Sequence, residues 1–176
     1  GGWLVGVVAT QSVALVSVQM GRYFNFNEPL LILGGFLAWC FGVMFYLWII
    51  SLIFYRYMFF AFKPGDLSPP YWVNMGAVAI STLAGCALVD AAGVHPLMME
   101  LRPFIKGVTF LLWSTATWWI PMLLILGFWR HVIQRFPMRY DPLYWGLVFP
   151  LGMYPACTFR MARAFDLPML LPLAKA

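Results

Sequence analysis

Charged residues are scarce in this sequence. Asp, Glu, Lys and Arg together make up 10% of its 176 residues, whereas 63% are hydrophobic. Soluble domains carry about 25% charged residues, so this chain lacks the polar surface that a water-soluble globule needs. Its apolar runs are too long and too uniform for the alternating strands of an outer-membrane barrel. The composition therefore predicts an integral membrane protein with an all-α transmembrane fold.

Residue patterns typical of catalysis and metal binding are also missing. Cys40, Cys86 and Cys157 fall in three different apolar runs, with no Cys/His spacing for a metal site or a disulfide framework. His95 and His131 lie in a loop and at a span end, where they cannot form the opposed pair that ligates a haem. The sequence contains no P-loop, no GxSxG and no HExxH. We therefore expect that the protein is not an enzyme, has no catalytic residues, and binds no metal or other cofactor.

The formal net charge of +5 comes from basic residues that sit mostly at span ends and in loops. This placement indicates membrane orientation and contact with lipid headgroups, not nucleic-acid binding. The basic residues divide almost evenly between the two faces that five spans define, so the positive-inside rule does not choose an orientation. An odd number of spans without a charge bias, opening on Gly1 and Gly2 beside an apolar run, leads us to expect a fragment of a longer protein.

Five apolar stretches are long enough to cross a hydrocarbon core of about 30 Å as helices. The connections between them are polar and rich in Pro and Gly, and aromatic residues near their ends suit the two membrane interfaces. We expect a single membrane domain fragment over residues 1–176. Its spans are expected at about residues 3–20, 30–54, 71–89, 107–129 and 143–159.

The five spans are of two kinds. In the first, third and fifth, small or polar residues recur every three or four positions and so share one helix face. The second and fourth are bulky on nearly every side, which suits contact with lipid. This alternation predicts helical hairpins around a pore, with inner spans lining it and outer spans facing lipid; tight packing through the small residues, without a pore, is the alternative. The candidate lining residues are Gly6, Thr10, Ala14, Ser17, Asn74, Ala77, Ser81, Gly85 and Ala156.

The fifth span, "YWGLVFPLGMYPACTFR", contains residues that break helices. Pro150 and Pro155 each leave a backbone carbonyl without its helical partner, which is tolerated at membrane depth only where protein or water satisfies it. We interpret Phe149 as a ring held at a kink, where it would gate a narrow passage by filling and dewetting it. The alternative is a packing residue beside an ordinary proline kink. The candidate kink residues are Gly146, Pro150, Gly152 and Pro155.

No Asp, Glu, Lys or Arg lies in the middle of any span, which argues against a proton relay in this part of the protein. Arg160 follows the fifth span. At a pore mouth it would raise the local concentration of anions. The alternative is an interfacial anchor that snorkels to the headgroups.

Three segments together resemble one known family: "WLVGVVATQSVALVSV", "PPYWVNMGAVAISTLAG" and "WGLVFPLGMY". The sequence is similar to the tellurite-resistance/dicarboxylate transporter family, which includes bacterial tellurite-resistance permeases, yeast malate permease, fungal sulfite exporters and plant slow anion channels. The resemblance runs over nearly the whole chain and is weakest in the loops. It matches about spans five to nine of the family's ten.

This resemblance implies five helical hairpins around a central pore in each subunit of a homotrimer. A Phe on the ninth span occludes the family's pore, and the "W…FP" match places that role on Phe149. The implied substrates are small inorganic anions, sulfite or C4-dicarboxylates such as malate, moving passively down the electrochemical gradient. The implied location is the cell membrane, the inner membrane in bacteria, with the N-terminal face in the cytoplasm.

The resemblance also implies that half of the pore is missing from this chain. We expect the chain alone to be inactive and function to belong to a parent protein, with membrane lipid, the missing half of the parent chain and an anionic substrate as partners and no nucleic acid. One alternative is a proton-coupled C4-dicarboxylate carrier whose ionisable residue lies in the absent half. Another is a non-transporting membrane anchor subunit whose polar stripes bury against a partner.

Overall fold

The computed structural model describes residues 2–24, 27–61 and 63–174, and over these ranges the chain is helical and contains no strand. The all-α prediction is confirmed. The five α-helices are α1 (Leu4–Phe24), α2 (Glu28–Phe59), α3 (Val73–Ala91), α4 (Pro96–Phe128) and α5 (Trp145–Ala164).

Prolines and capping residues set where several helices begin. Pro29 lies in the first turn of α2, after Asn27 in the left-handed conformation (φ 44°). Pro96 opens α4, and the preceding His95 accepts a hydrogen bond at Nδ1 from the backbone N–H of Leu97 at 3.2 Å. These positions suit proline because its missing N–H would have no helical partner in a first turn.

The fourth helix differs from its prediction. It starts at Pro96, well before the expected start near residue 107, and runs through Pro103 and Pro121 before a π-helical turn at Trp129–Ile133. A proline inside a helix removes one backbone hydrogen bond, but the rest of a long apolar helix holds it together. The sequence suggested that the prolines of this connection lie outside the helix, but Pro103 lies inside α4.

Within the residues that the structure describes, four helical segments are long and apolar enough to cross a membrane, as judged by length and composition. They are Leu4–Phe24, Glu28–Phe59, Pro69–Val94 and Pro96–Ile133. Helix α5 forms where the fifth span is predicted, but its 20 residues include two prolines and two arginines and it is not among the four. That α5 also crosses the membrane stays a prediction.

Helix α3 lies at the centre of the bundle and packs against all four other helices. From Val73 to Val89 every residue is buried except Leu83, which is partly exposed. Helices α1 and α5 both pack extensively on α3, while α2 packs mainly on α1, and α4 mainly on α3. The arrangement therefore has α1, α3 and α5 in one row and α2 and α4 beside it, as the pattern of hairpins predicts.

The contact between α1 and α2 depends on glycine. A Cβ atom at Gly35 would lie 2.8 Å from Cγ2 of Val18 and 3.0 Å from the carbonyl oxygen of Ala14. Both distances are shorter than ordinary van der Waals contact, and a backbone carbonyl cannot move away as a side chain can. The absence of a side chain at Gly35 thus sets the separation of the two helices.

We predict that Gly35→Ala destabilises the protein by about 1–3 kcal/mol, the usual cost of overpacking. The measurement is thermal unfolding of the purified protein in detergent. Gly34→Ala is the matched control, because a Cβ there would meet no described atom within 4 Å and alanine is the better helix former. Equal stabilities for the two variants would contradict the assigned close contact.

Candidate pore-lining face and gate

The predicted stripe on α1 lies largely against α2. A Cβ atom at Gly6 would stand 2.9 Å from the ring of Phe45, and Ala14 has no exposed surface. Ser17 is partly exposed and lies beside Gly35, while Thr10 is partly exposed and donates from Oγ1 to the carbonyl of Gly6 at 2.9 Å. Within this chain the stripe is mainly a packing seam, which is the alternative that the sequence left open.

The predicted stripe on α3 is buried entirely. Asn74, Ala77 and Ser81 have no exposed surface, and Gly85 is buried against Thr109 of α4. Side chains without exposed surface in this chain do not line a passage that runs along its outside. Four helices surround α3, so nearly every residue from Val73 to Val89 is buried and burial does not single out the predicted face.

A buried polar network joins α1, α2 and α3, and sequence reasoning missed its central residue, Gln11. Its Nε2 donates to the carbonyl of Trp39 at 3.2 Å, and Nε1 of Trp39 donates to the carbonyl of Ser81 at 2.9 Å. Gly42 makes room for the amide, since a Cβ there would overlap the side chain of Gln11. A lone amide inside an apolar run was the available signal. Such interhelical bonds hold helices together in lipid.

Helix α5 is attached to α4 by two side-chain hydrogen bonds. Nε1 of Trp113 donates to Oγ1 of Thr158 at 3.0 Å, and the hydroxyls of Thr117 and Tyr154 lie 2.9 Å apart. Pro150, Tyr154, Cys157, Thr158 and Met161 are buried along the same side of α5. Together with the extensive packing of α5 on α3, these bonds define the buried side of α5.

The opposite side of α5 is open. Phe149, Gly152 and Ala156 are exposed and share one helix face. A Cβ atom at Gly146 or Gly152 would meet no atom of the described residues within 4 Å. Unlike the stripes on α1 and α3, the predicted lining face of α5 is therefore available to a passage.

The aromatic ring of Phe149 rests on Gly76 of α3. A Cβ atom at Gly76 would lie 3.2 Å from Cε1 of Phe149 and 2.9 Å from Cγ of Pro150. Phe149 itself stays 36% exposed. Helix α5 continues without a break through Pro150 and Pro155, which is partly exposed. Gly76 lies within "WVNMGAVAI" but outside the predicted stripe, so its role as the seat of the ring emerged only from the packing.

Arg160 forms an ion pair that the sequence did not predict. Its Nη2 lies 3.6 Å from Oδ2 of Asp90 at the end of α3, and the two side chains are 42% and 32% exposed. Since Phe149 and Gly76 lie near the starts of α5 and α3, the two helices run parallel. The ring and the ion pair therefore mark opposite ends of one open helix face.

The structure is thus a bundle of long apolar helices in which α5 leaves Phe149, Gly152 and Ala156 exposed along one face. The voltage-dependent anion channel family matches residues 1–175, and the chain belongs to this family. The family resemblance inferred from the three segments is thereby confirmed.

Curated relatives agree with this assignment. An uncharacterized membrane protein of Mycobacterium tuberculosis, present in two strains, is 39% identical over 120 residues, which cover 68% of this chain and 60% of that protein. Two uncharacterized transporters of Methanocaldococcus jannaschii are 24% and 22% identical over 93% and 96% of this chain, and 46% and 47% of their own lengths. The chain thus spans about half to 60% of these relatives. No solved structure matches it.

We predict that the bond between Trp113 and Thr158 helps to fix α5. In a double-mutant cycle, Trp113→Phe and Thr158→Val should each lower the free energy of unfolding, and the double variant should lose less than the sum, with a coupling of about 0.5–1.5 kcal/mol. The measurement is unfolding in detergent. The pair Trp118→Phe and Thr158→Val is the control, because Trp118 is exposed; additivity in the first cycle would contradict the assigned bond.

Proposed function

We propose that this chain forms part of a pathway for anions across a membrane, with Phe149 as its gate. The observation that carries the proposal is the open face of α5, where Phe149, Gly152 and Ala156 remain free while most of the other small residues are packed. Family membership supports an anion as the substrate. The relatives named as transporters support transport in place of catalysis.

The chemistry of the open face suits weak binding and passage. Glycine and alanine leave room and expose helix backbone, and no Asp, Glu, Lys or Arg lies in the middle of any span. A fixed charge at depth would hold an anion too tightly for rapid release, whereas dipoles and hydroxyls bind it weakly. Thr10 and Ser17 keep part of their surface exposed and are our remaining hydroxyl candidates. The proposed substrates are small inorganic anions, sulfite and C4-dicarboxylates such as malate.

Gating in this proposal is a movement of one aromatic ring. When Phe149 rests over Gly76, the ring narrows the passage and makes it apolar, which opposes both hydration and ions. When the ring turns away, the face formed by Gly146, Gly152 and Ala156 becomes continuous. Arg160, paired with Asp90 at the other end, attracts anions to the mouth while the pair limits how strongly it holds them.

One helix face does not enclose a passage, so the remaining walls come from further helices. We propose that these belong to the same protein at its natural length, that subunits assemble as a homotrimer, and that the protein resides in the cell membrane. The absence of Asp, Glu, Lys and Arg at depth in these spans favours passive conduction over proton coupling.

We predict that Phe149→Ala raises anion flux by about tenfold or more, since lowering a barrier by about 1.4 kcal/mol changes a rate tenfold. The measurement is chloride and malate flux into liposomes that carry the protein at its natural length, at fixed membrane potential. Phe159→Ala is the matched control: it is on the same helix and 37% exposed, close to the 36% of Phe149, but it lies at the far end. The anion carried better would narrow the substrate.

Equal flux from Phe149→Ala and wild type, with both proteins folded, would overturn Phe149 as the gate. No flux from either would overturn the open-pathway proposal and favour an anchor or a carrier that needs a coupling ion.

The seat of the ring gives a second prediction. Gly76→Ala should raise flux severalfold, because the added Cβ removes the seat that holds the ring of Phe149 over α3 in the closed position. Combining Gly76→Ala with Phe149→Ala should raise flux no further than Phe149→Ala alone, because no ring is left to displace. Gly152→Ala is the control that adds a methyl group outside the seat, and it should not raise flux. Flux in Gly76→Ala at or below that of wild type would contradict this mechanism.

A further inference from the structure

A second site lies away from the open face of α5. A pocket of about 460 Å³ opens at the end of the bundle where α2 and α4 finish and α3 and α5 begin. The connection between α2 and α3 supplies Gly65, Ser68 and Pro69 on one side. The connection between α4 and α5 supplies the remaining walls, including Arg130 and Arg139.

Arg130 is held in place but not neutralised. It lies in the π-helical turn Trp129–Ile133, a type of turn that is frequent at functional sites. Its guanidinium carbon is 4.5 Å from the centre of the ring of Phe136, and its buried Nε has no hydrogen-bond partner among the described residues. A buried guanidinium donor without a partner is costly, so a ligand that accepts its hydrogen bond would stabilise the site.

The loop around Arg130 is fixed by its own hydrogen bonds. The N–H of Phe136 donates to the carbonyl of Arg130 at 3.0 Å, and Nδ1 of His131 lies 3.0 Å from the carbonyl of Phe136. These bonds close the turn and press the aromatic ring against the guanidinium. The site is therefore preorganised.

The charge balance of the pocket is positive. Arg130 and Arg139 form no ion pair with the described residues. The carboxylate in the wall, Asp141, accepts a hydrogen bond from the N–H of Leu143 at 2.9 Å. The nearby Asp66 is paired with Arg56 at 3.1 Å. Two arginines thus face one capped carboxylate, with hydroxyls of Ser68, Tyr140 and Tyr144 in the same wall.

The pocket has the composition of a membrane–water interface. Tyr140 and Tyr144 line it, and Nε1 of Trp145 donates to the hydroxyl of Tyr140 at 3.3 Å. Aromatic residues of this kind concentrate at the level of the lipid headgroups, where basic pockets meet phosphate groups.

We propose that this pocket binds a phosphate ester, with the guanidinium groups of Arg130 and Arg139 as paired donors. The planar fork of arginine matches two phosphate oxygens at once, which makes such contacts short and strong. The phosphate comes from an anionic lipid headgroup or from a soluble phosphate compound. The site is independent of the proposed anion pathway, because none of its arginines lies on the open face of α5.

The test measures binding to the protein at its natural length in a non-ionic detergent. One arm titrates phosphatidylglycerol and counts bound lipid by native mass spectrometry; the other titrates inorganic phosphate by calorimetry. Arg139→Gln, at an exposed position where folding is not at risk, and Arg130→Gln should each weaken binding about tenfold. Arg130→Lys keeps the charge but loses the fork, and should also weaken binding. Arg135→Gln, which removes an exposed charge from the same loop outside the pocket, should not.

Lipid binding that falls with Arg139→Gln but not with Arg135→Gln would support the site with a headgroup as its source. Phosphate binding with the same pattern, and no lipid binding, would support it with a soluble source. Binding lost equally in Arg135→Gln and Arg139→Gln would reduce the effect to general surface charge and overturn the proposal. No binding in either arm would overturn it as well.

Discussion

The close approach of helix backbones at glycine residues is the constraint on which the rest of this structure depends. In a membrane, apolar side chains gain nothing by leaving lipid for one another, so helices associate through fitted surfaces and interhelical hydrogen bonds. Here glycines supply the fit: Gly35 receives Ala14 and Val18, Gly85 receives Thr109, and Gly76 receives Pro150. Because α3 is small on several faces, four helices can surround it. The hydrogen bond from Nε1 of Trp39 to the backbone carbonyl of Ser81 also orients α2 relative to α3.

What is used for packing is not available to line a passage, and this separates the three small-residue helices. Helix α1 presents most of its stripe to α2, and α3 has its stripe enclosed. Helix α5 buries its other side through packing on α3 and two hydrogen bonds to α4, and its small face stays open. The seat of Phe149 on Gly76 follows from the same packing, since the ring and the neighbouring Pro150 both lie against this glycine of α3. The candidate gate is thus positioned by the contact that holds α5 to the bundle.

The two ends of the bundle have different chemistry. At one end, connections rich in aromatic residues and arginine form a pocket in which Arg130 is stacked and its Nε lacks a partner among the described residues. At the other end, Arg160 is already paired with Asp90. A guanidinium that is stacked and lacks an ion-pair partner binds an anion more tightly. A guanidinium that is already paired with a carboxylate attracts an anion only weakly. The first suits a bound phosphate and the second suits the mouth of a pathway.

The sequence by itself determined the all-α membrane fold, the approximate positions of the five helices and the family, while Phe149 as a gate stays a prediction. These follow from composition, from run length and from local motifs, which are properties of neighbouring residues. It did not determine which way each small face points, so Asn74, Ala77 and Ser81 were expected at a pore and are buried instead. Nor did it reveal the seat at Gly76, the ion pair of Arg160 with Asp90, or the early start of α4 at Pro96. Helical periodicity gives the residues that share a face, but the rotation of a helix about its axis depends on contacts with distant parts of the chain, and only the tertiary structure supplies those.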